Sequence, residues 1–159
     1  MATQTIERAK YSNGPFNMVT RKEAASQSFK VGEFVYLVSG KVTSRASDAV
    51  VIYGMAEQDA SGTTDTELLI RVPNEQTEFE MNVYHATAAS AITAITNYSY
   101  KYALYVASNI HYVDIGDTSY DAFVITDILV GGNKSIGDTY GRVKVKILPE
   151  VLQDGAKAT

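Results

Sequence analysis

The 159-residue chain has no cysteine and no tryptophan, only two histidines and only three prolines. Lack of cysteine excludes disulfides, thiol catalysis and thiolate sites for zinc or iron–sulfur clusters. A metal centre needs at least three converging ligands, and nothing in their spacing brings His85 and His111 together. No apolar run approaches the ~20 residues of a membrane span, and the first ten residues lack the apolar stretch of a signal peptide. A soluble protein without a membrane partner is the expectation. There is no Gly-x-Ser-x-Gly, no phosphate-binding glycine loop and no His-Glu-x-x-His. The acidic loop 114–121 invites a calcium reading, but no acid falls two residues after Asp114 and the twelfth position is Ile125. Asp and Gly are also ordinary turn residues. Glu78 and Glu80 share a face that alternates with an apolar one, which makes them wet rather than a hydrolytic pair.

What the chain does have is alternation. Residues 67–72 place Leu68, Ile70 and Val72 on one face; 78–83 place Phe79, Met81 and Val83; 142–147 place Val143, Val145 and Ile147. A period of two marks a strand with one wet and one buried face. The expectation is antiparallel β-structure around one core. Residues 34–38 are apolar on both faces, and Ser39-Gly40 turns them into 41–43. Further strands are expected at 50–56, 98–107, 110–114 and 122–129, and the strand at 142–147 extends over 140–148. Gly54, inside its strand, predicts a bulge or a close backbone approach. Residues 86–97 carry apolar residues at helical spacing diluted by Thr and Ser, so a short helix there competes with a loop. The count is roughly eight strands. The fold class read from this is all-β: a small antiparallel β-barrel or β-tulip with at most one or two short helices and an extended N-terminal arm.

That arm spans residues 1–26, the barrel domain 27–152 and a flexible polar tail 153–159. Net charge is −4, with +3 in residues 1–30 and −7 in residues 31–159. A basic arm on an acidic body suits docking on a neighbouring acidic surface, and the acidic body argues against nucleic acid. Eleven tyrosines are many for this length. Residues 97–105 are expected to line up Tyr98, Tyr100 and Tyr102, as sheet packing, an interface or a stacking platform.

The runs Phe29-Lys30-Val31-Gly32-Glu33-Phe34-Val35-Tyr36-Leu37-Val38-Ser39-Gly40-Lys41-Val42 and Ile52-Tyr53-Gly54-Met55-Ala56 resemble the opening barrel strands of tailed-phage head decoration (capsid cement) proteins. So do Thr77-Glu78-Phe79-Glu80-Met81-Asn82-Val83-Tyr84-His85 and the closing Gly141-Arg142-Val143-Lys144-Val145-Lys146-Ile147-Leu148-Pro149. The resemblance covers about residues 27–152 and rests on structural motifs. It implies a non-enzymatic protein without cofactor or metal, made in the host cytoplasm and placed on the outer surface of the virion capsid. Its partners would be the major capsid protein and itself, as a homotrimer, and it would stabilise the head by bridging capsomers. The arm residues expected to touch capsid or neighbouring protomer are Tyr11, Pro15, Phe16, Met18, Arg21 and Lys22; deleting residues 2–20 is expected to leave a folded barrel that no longer decorates heads. The alternative is a carbohydrate- or receptor-binding β-module of a phage appendage, using the tyrosine row. A third reading, a small β-barrel hydrolase, would lose activity on changing His85 or His111.

Overall fold

The alternation in residues 78–84 turns Phe79, Met81 and Val83 inward, fully buried, and this strand is the hub of the molecule. The computed structural model describes residues 2–49 and 51–153. It contains β1 (Lys10–Asn13), β2 (Phe16–Lys22), β3 (Phe34–Val38), β4 (Lys41–Ser44), β5 (Gly54–Ala56), β6 (Glu67–Pro73), β7 (Glu78–Tyr84), β8 (Lys101–Ala107), β9 (Ile110–Asp114), β10 (Phe123–Ile128) and β11 (Arg142–Ile147). The all-β barrel expectation holds. In place of a short helix, residues 86–97 contain two 3-10 turns, Ala88–Ser90 and Ile95–Asn97; a third is Pro149–Val151. Among the described residues no helix is long and apolar enough to cross a membrane.

Five strands close on themselves in the order β7-β11-β10-β8-β9, and β9 returns to β7. The closing pair is parallel, Val83 opposite Val113 and Tyr84 opposite Asp114, while the other four are antiparallel. Closure removes the free edges that a flat sheet would expose. A second sheet runs β2-β6-β5-β3-β4. It curls until Glu23, just beyond β2, bridges to Val42 of β4.

The expectation of one core is corrected: there are two. The barrel core gathers Phe79, Met81, Leu104, Phe123, Ile125, Val143 and Val145, among others. The second gathers Phe29, Val35, Val42, Tyr53, Leu68, Ile70 and Val72 inside the curled sheet. β3 serves both. Phe34 points into the barrel core, against Phe79 and Phe123, and its neighbour Val35 points into the second. A strand apolar on both faces is what two cores on opposite sides of one sheet require. Gly54 on β5 is the expected close approach: a Cβ there would lie 2.4 Å from the Arg71 carbonyl oxygen.

The N-terminal segment is extended, and it is bound along its length to its own chain. Gln4 N–H donates to Thr139 O at 2.9 Å. Asn82 Nδ2 donates to Thr5 O at 3.0 Å, and its Oδ1 accepts from Glu7 N–H at 2.9 Å. Arg142 donates from Nη1 to Glu7 O and from Nη2 to Arg8 O. Ala9 is buried in the barrel core, β1 pairs with β7, and β2 pairs with β6 over seven residues. The segment thus belts barrel and second sheet together. Deleting residues 2–20 removes β1 and most of β2, and uncovers β6 and part of β7, so the truncated chain keeps the five barrel strands but loses the belt that ties them to the second sheet. At the other end Gln153 is docked: Leu37 N–H donates to its Oε1 and its Nε2 donates to Leu37 O. Residues 154–159 of the expected tail lie outside the described residues.

Candidate docking groove

All three prolines of the chain, though 58 or more positions apart in sequence, line one groove of about 390 Å³. Pro15 and Phe16 form one wall, Val72 and Pro73 the second, and Pro149 and Leu152 the third; Asn17, Asn74, Glu75 and Gln76 make a polar rim. The walls are locked to one another. Thr77 Oγ1 donates to Pro15 O and accepts from Asn74 N–H at 3.0 Å, while Asn74 Oδ1 accepts from Gln76 N–H at 2.7 Å. Gly14 has φ +95°, and a Cβ there would lie 2.6 Å from Gln76 O, so only glycine lets the two loops meet.

Phe16 rests on a stacked support. The Arg71 guanidinium carbon sits 4.1 Å from the Phe16 ring centroid and 4.4 Å from that of Tyr11. The two rings meet edge to face at 4.9 Å, and Tyr11 O–H donates to Gly14 O at 2.6 Å. Glu57 Oε1 accepts from Arg71 Nε at 2.5 Å and fixes the guanidinium from the far side. Charge pairing, cation–π contact and ring packing together hold Phe16 in one orientation. The result is a recess with apolar walls and an about equally large polar share, the amides of Asn17, Asn74 and Gln76 and the Glu75 carboxylate at its lip, the arrangement of an interface core and rim.

Of the six arm residues singled out from the sequence, the structure brings together Tyr11, Pro15 and Phe16. Met18 lies two residues along the same face of β2, opposite Arg71, and is 41% exposed. Arg21 and Lys22 lie at the far end of β2, about 20 Å from Phe16 at strand spacing. Arg21 is occupied within the chain, its guanidinium 5.7 Å from the Tyr53 ring centroid and Nη1 donating to Thr20 O. Lys22 is exposed and feels the Asp65 carboxylate. Lys10 reaches Glu80 at 3.7 Å and Lys30 reaches Asp59 at 3.9 Å. Of the arm's four basic side chains, Lys10 and Lys22 thus face carboxylates of their own chain, as does Lys30 just beyond the arm. Val72, Pro73, Pro149 and Leu152 had no functional signal in the sequence: the first three read only as strand ends or turns, and Leu152 only as the last residue before the polar tail.

The expected tyrosine row survives in part: the Tyr100 and Tyr102 rings stack at 6.2 Å between centroids, and Tyr98 is cut off from them. Ser99 takes φ +63°, which disrupts alternation just before β8. Tyr98 and Tyr100 stay outside, and Tyr102 turns into the barrel core, where its hydroxyl accepts from Asn97 Nδ2 at 2.9 Å. Tyr105 instead stacks face to face on Tyr84 across the barrel seam, centroids 3.6 Å apart. Its hydrogen bond to Tyr84, aided by partial burial, pushes the Tyr84 phenol up to about 12.

The histidines remain apart in role. His111 is buried between the two cores with Glu33, whereas His85 is half-buried and accepts from Thr87 N–H through Nδ1. Among the described residues no three His, Asp or Glu side chains converge as a metal site. Asp114 and Asp117 instead accept from Gly116 N–H and Ser119 N–H, as turn-forming aspartates do. Compared with family models, curated proteins and solved structures, the chain finds no match.

Proposed function

We propose that this chain is a structural virion protein that binds the outer surface of a phage capsid as a homotrimer and bridges neighbouring capsomers. One observation carries the reading: a preformed groove walled by Pro15, Phe16, Val72, Pro73, Pro149 and Leu152, set where the belt-like N-terminal segment crosses from barrel to second sheet. Proline walls lose little freedom on binding, so an apolar side chain entering there meets a surface already in its bound shape. The occupant is an apolar side chain on a loop of the capsid protein. Repetition of one modest contact around a trimer raises overall strength through effective concentration. Exposed Met18 beside the groove extends the contact. Arg21 and Lys22, at the far end of β2, stand apart from the groove and would meet a separate part of the partner.

The test is co-sedimentation of the purified chain with DNA-filled heads and with unexpanded heads of the phage that encodes it. Saturable binding to filled heads alone is expected. Replacing Phe16→Asp, or placing Glu75→Arg on the rim with the Arg71 stack intact, is expected to weaken binding by about 2 kcal/mol, as for an interface hot spot. Failure of the unaltered chain to bind heads overturns the capsid reading. Unchanged affinity in both folded variants overturns the groove as its contact.

A further inference from the structure

A second recess of about 420 Å³ opens where the loop after β4 crosses to the barrel, lined by Ser28, Glu33, Ser44, Arg45, Ser47 and Asn109 among others. The loop is held from both sides. Arg45 N–H donates to Phe34 O at 3.2 Å, Val106 N–H donates to Ser47 Oγ at 2.8 Å, and Asp48 N–H donates to Leu104 O at 2.8 Å.

The unusual member is Arg45. Its guanidinium lies 4.0 Å from the Tyr36 ring centroid, and Nε is shielded from water without a hydrogen-bond acceptor among the described residues. Glu33, the carboxylate in the same recess, is committed elsewhere. Its Oε1 pairs with His111 Nε2 at 3.2 Å, and its Oε2 accepts from Lys30 N–H at 2.6 Å and from Asn109 Nδ2 at 2.8 Å. No carboxylate, Glu33 included, lies within ion-pair distance of Arg45 among the described residues. A partly buried cation without a counter-charge is unfavourable unless an anion completes it.

We propose that this recess binds a carboxylate monoanion, with Arg45 as its charge partner and the Ser47 hydroxyl, whose oxygen already accepts from Val106, as a hydrogen-bond donor. The planar guanidinium fork matches a planar carboxylate, and the Tyr36 ring beneath it limits its freedom. A phosphate dianion is disfavoured relative to a monoanion, because one arginine balances only one of its charges and the Glu33 carboxylate in the same recess repels two charges more than one. The proposal is independent of the docking groove, which lies on other loops.

The test follows Arg45 Nε–H and the Ser47 and Asn109 amides by nitrogen-15 NMR of the full chain. Sodium acetate, sodium glucuronate and N-acetyl-glutamate amide are titrated separately, against sodium chloride and sodium phosphate at equal ionic strength. Saturable shifts with the carboxylates and not with chloride are expected. Tightest binding of glucuronate assigns a free sugar acid; tightest binding of the capped glutamate assigns an acidic side chain of a partner. Arg45→Lys keeps the charge and loses the fork, and is expected to weaken binding about tenfold. Shifts that do not saturate, or that phosphate reproduces at equal concentration, overturn the proposal whether or not the variant folds.

Discussion

Arg142 Nη1 donates to Asn82 Oδ1 at 2.8 Å, and this buried pair is the buckle of the N-terminal belt. Arg142 is on β11 and Asn82 on β7, directly opposite in register. Between them they bind main-chain groups of Thr5, Glu7 and Arg8. The Glu7 and Glu80 carboxylates lie 3.8 and 3.6 Å from Arg142 Nε and supply its counter-charge. Replacing Arg142→Met leaves the carbonyls of Glu7, Arg8 and Glu80 without these donors, while Asn82 Oδ1 keeps only its bond from Glu7 N–H. The expected loss is about 3 kcal/mol in urea unfolding. Amide hydrogen exchange would locate it: protection should fall first at residues 4–9, ahead of the barrel strands. Uniform loss across barrel and belt would contradict the buckle.

Acid should weaken this protein through the pair that joins its two cores. His111 Nδ1 accepts from Phe34 N–H at 3.3 Å, and Nε2 therefore carries the proton shared with Glu33. The ring is neutral, and burial holds its pKa below the ordinary 6.5 despite the pull of Glu33. The unfolded chain then takes up a proton that the native state refuses, so stability falls as pH drops below 6.5. Glu33 acts in the same direction. Burial raises its pKa, but hydrogen bonds from His111, Lys30 N–H and Asn109 outweigh it and hold the group below 4.5. The stability it contributes is present above that value and disappears as pH falls through its native pKa. Burial raises Asp48 and Asp114, so these two oppose the trend. Urea midpoints measured from about pH 7 to about pH 5 should decline in the native chain, and the slope should flatten in His111→Gln, which cannot titrate. An equal slope in both chains would remove His111 from the account.

Much of this architecture was legible because burial in β6, β7 and β11 is one-sided, and one-sided burial writes a period of two into the sequence. What alternation does not say is whose core a strand faces. Residues 34–38 carried that clue in being apolar on both faces, yet the same pattern fits any fully covered strand. β1 and β2 escaped for another reason. On β2 the outward Phe16 and Met18 are apolar, while Arg21 shares the inward side with Val19, so burial and hydropathy run out of step. The groove depends on three chain reversals meeting in space. Each proline marks its own turn locally, and nothing in one turn refers to the other two.

Gly54 shows how narrowly the second sheet is fitted around Arg71. β5 is three residues long and passes between β3 and β6, with Val35 opposite Gly54 and Arg71 opposite Met55. A Cβ on Gly54 would meet the Arg71 carbonyl oxygen at 2.4 Å and Ile70 Cγ2 at 2.9 Å. The first contact is with backbone, which has no alternative rotamer. Gly54→Ala must therefore spread β5 from β6 or rotate the Arg71 peptide, and either motion disturbs the support beneath Phe16. The expected cost is about 2–4 kcal/mol, in the range for overpacking a buried site. It should come with weaker head binding even where the variant is folded. A Gly54→Ala chain with unchanged urea midpoint would mean that β5 and β6 have more room than this close approach allows.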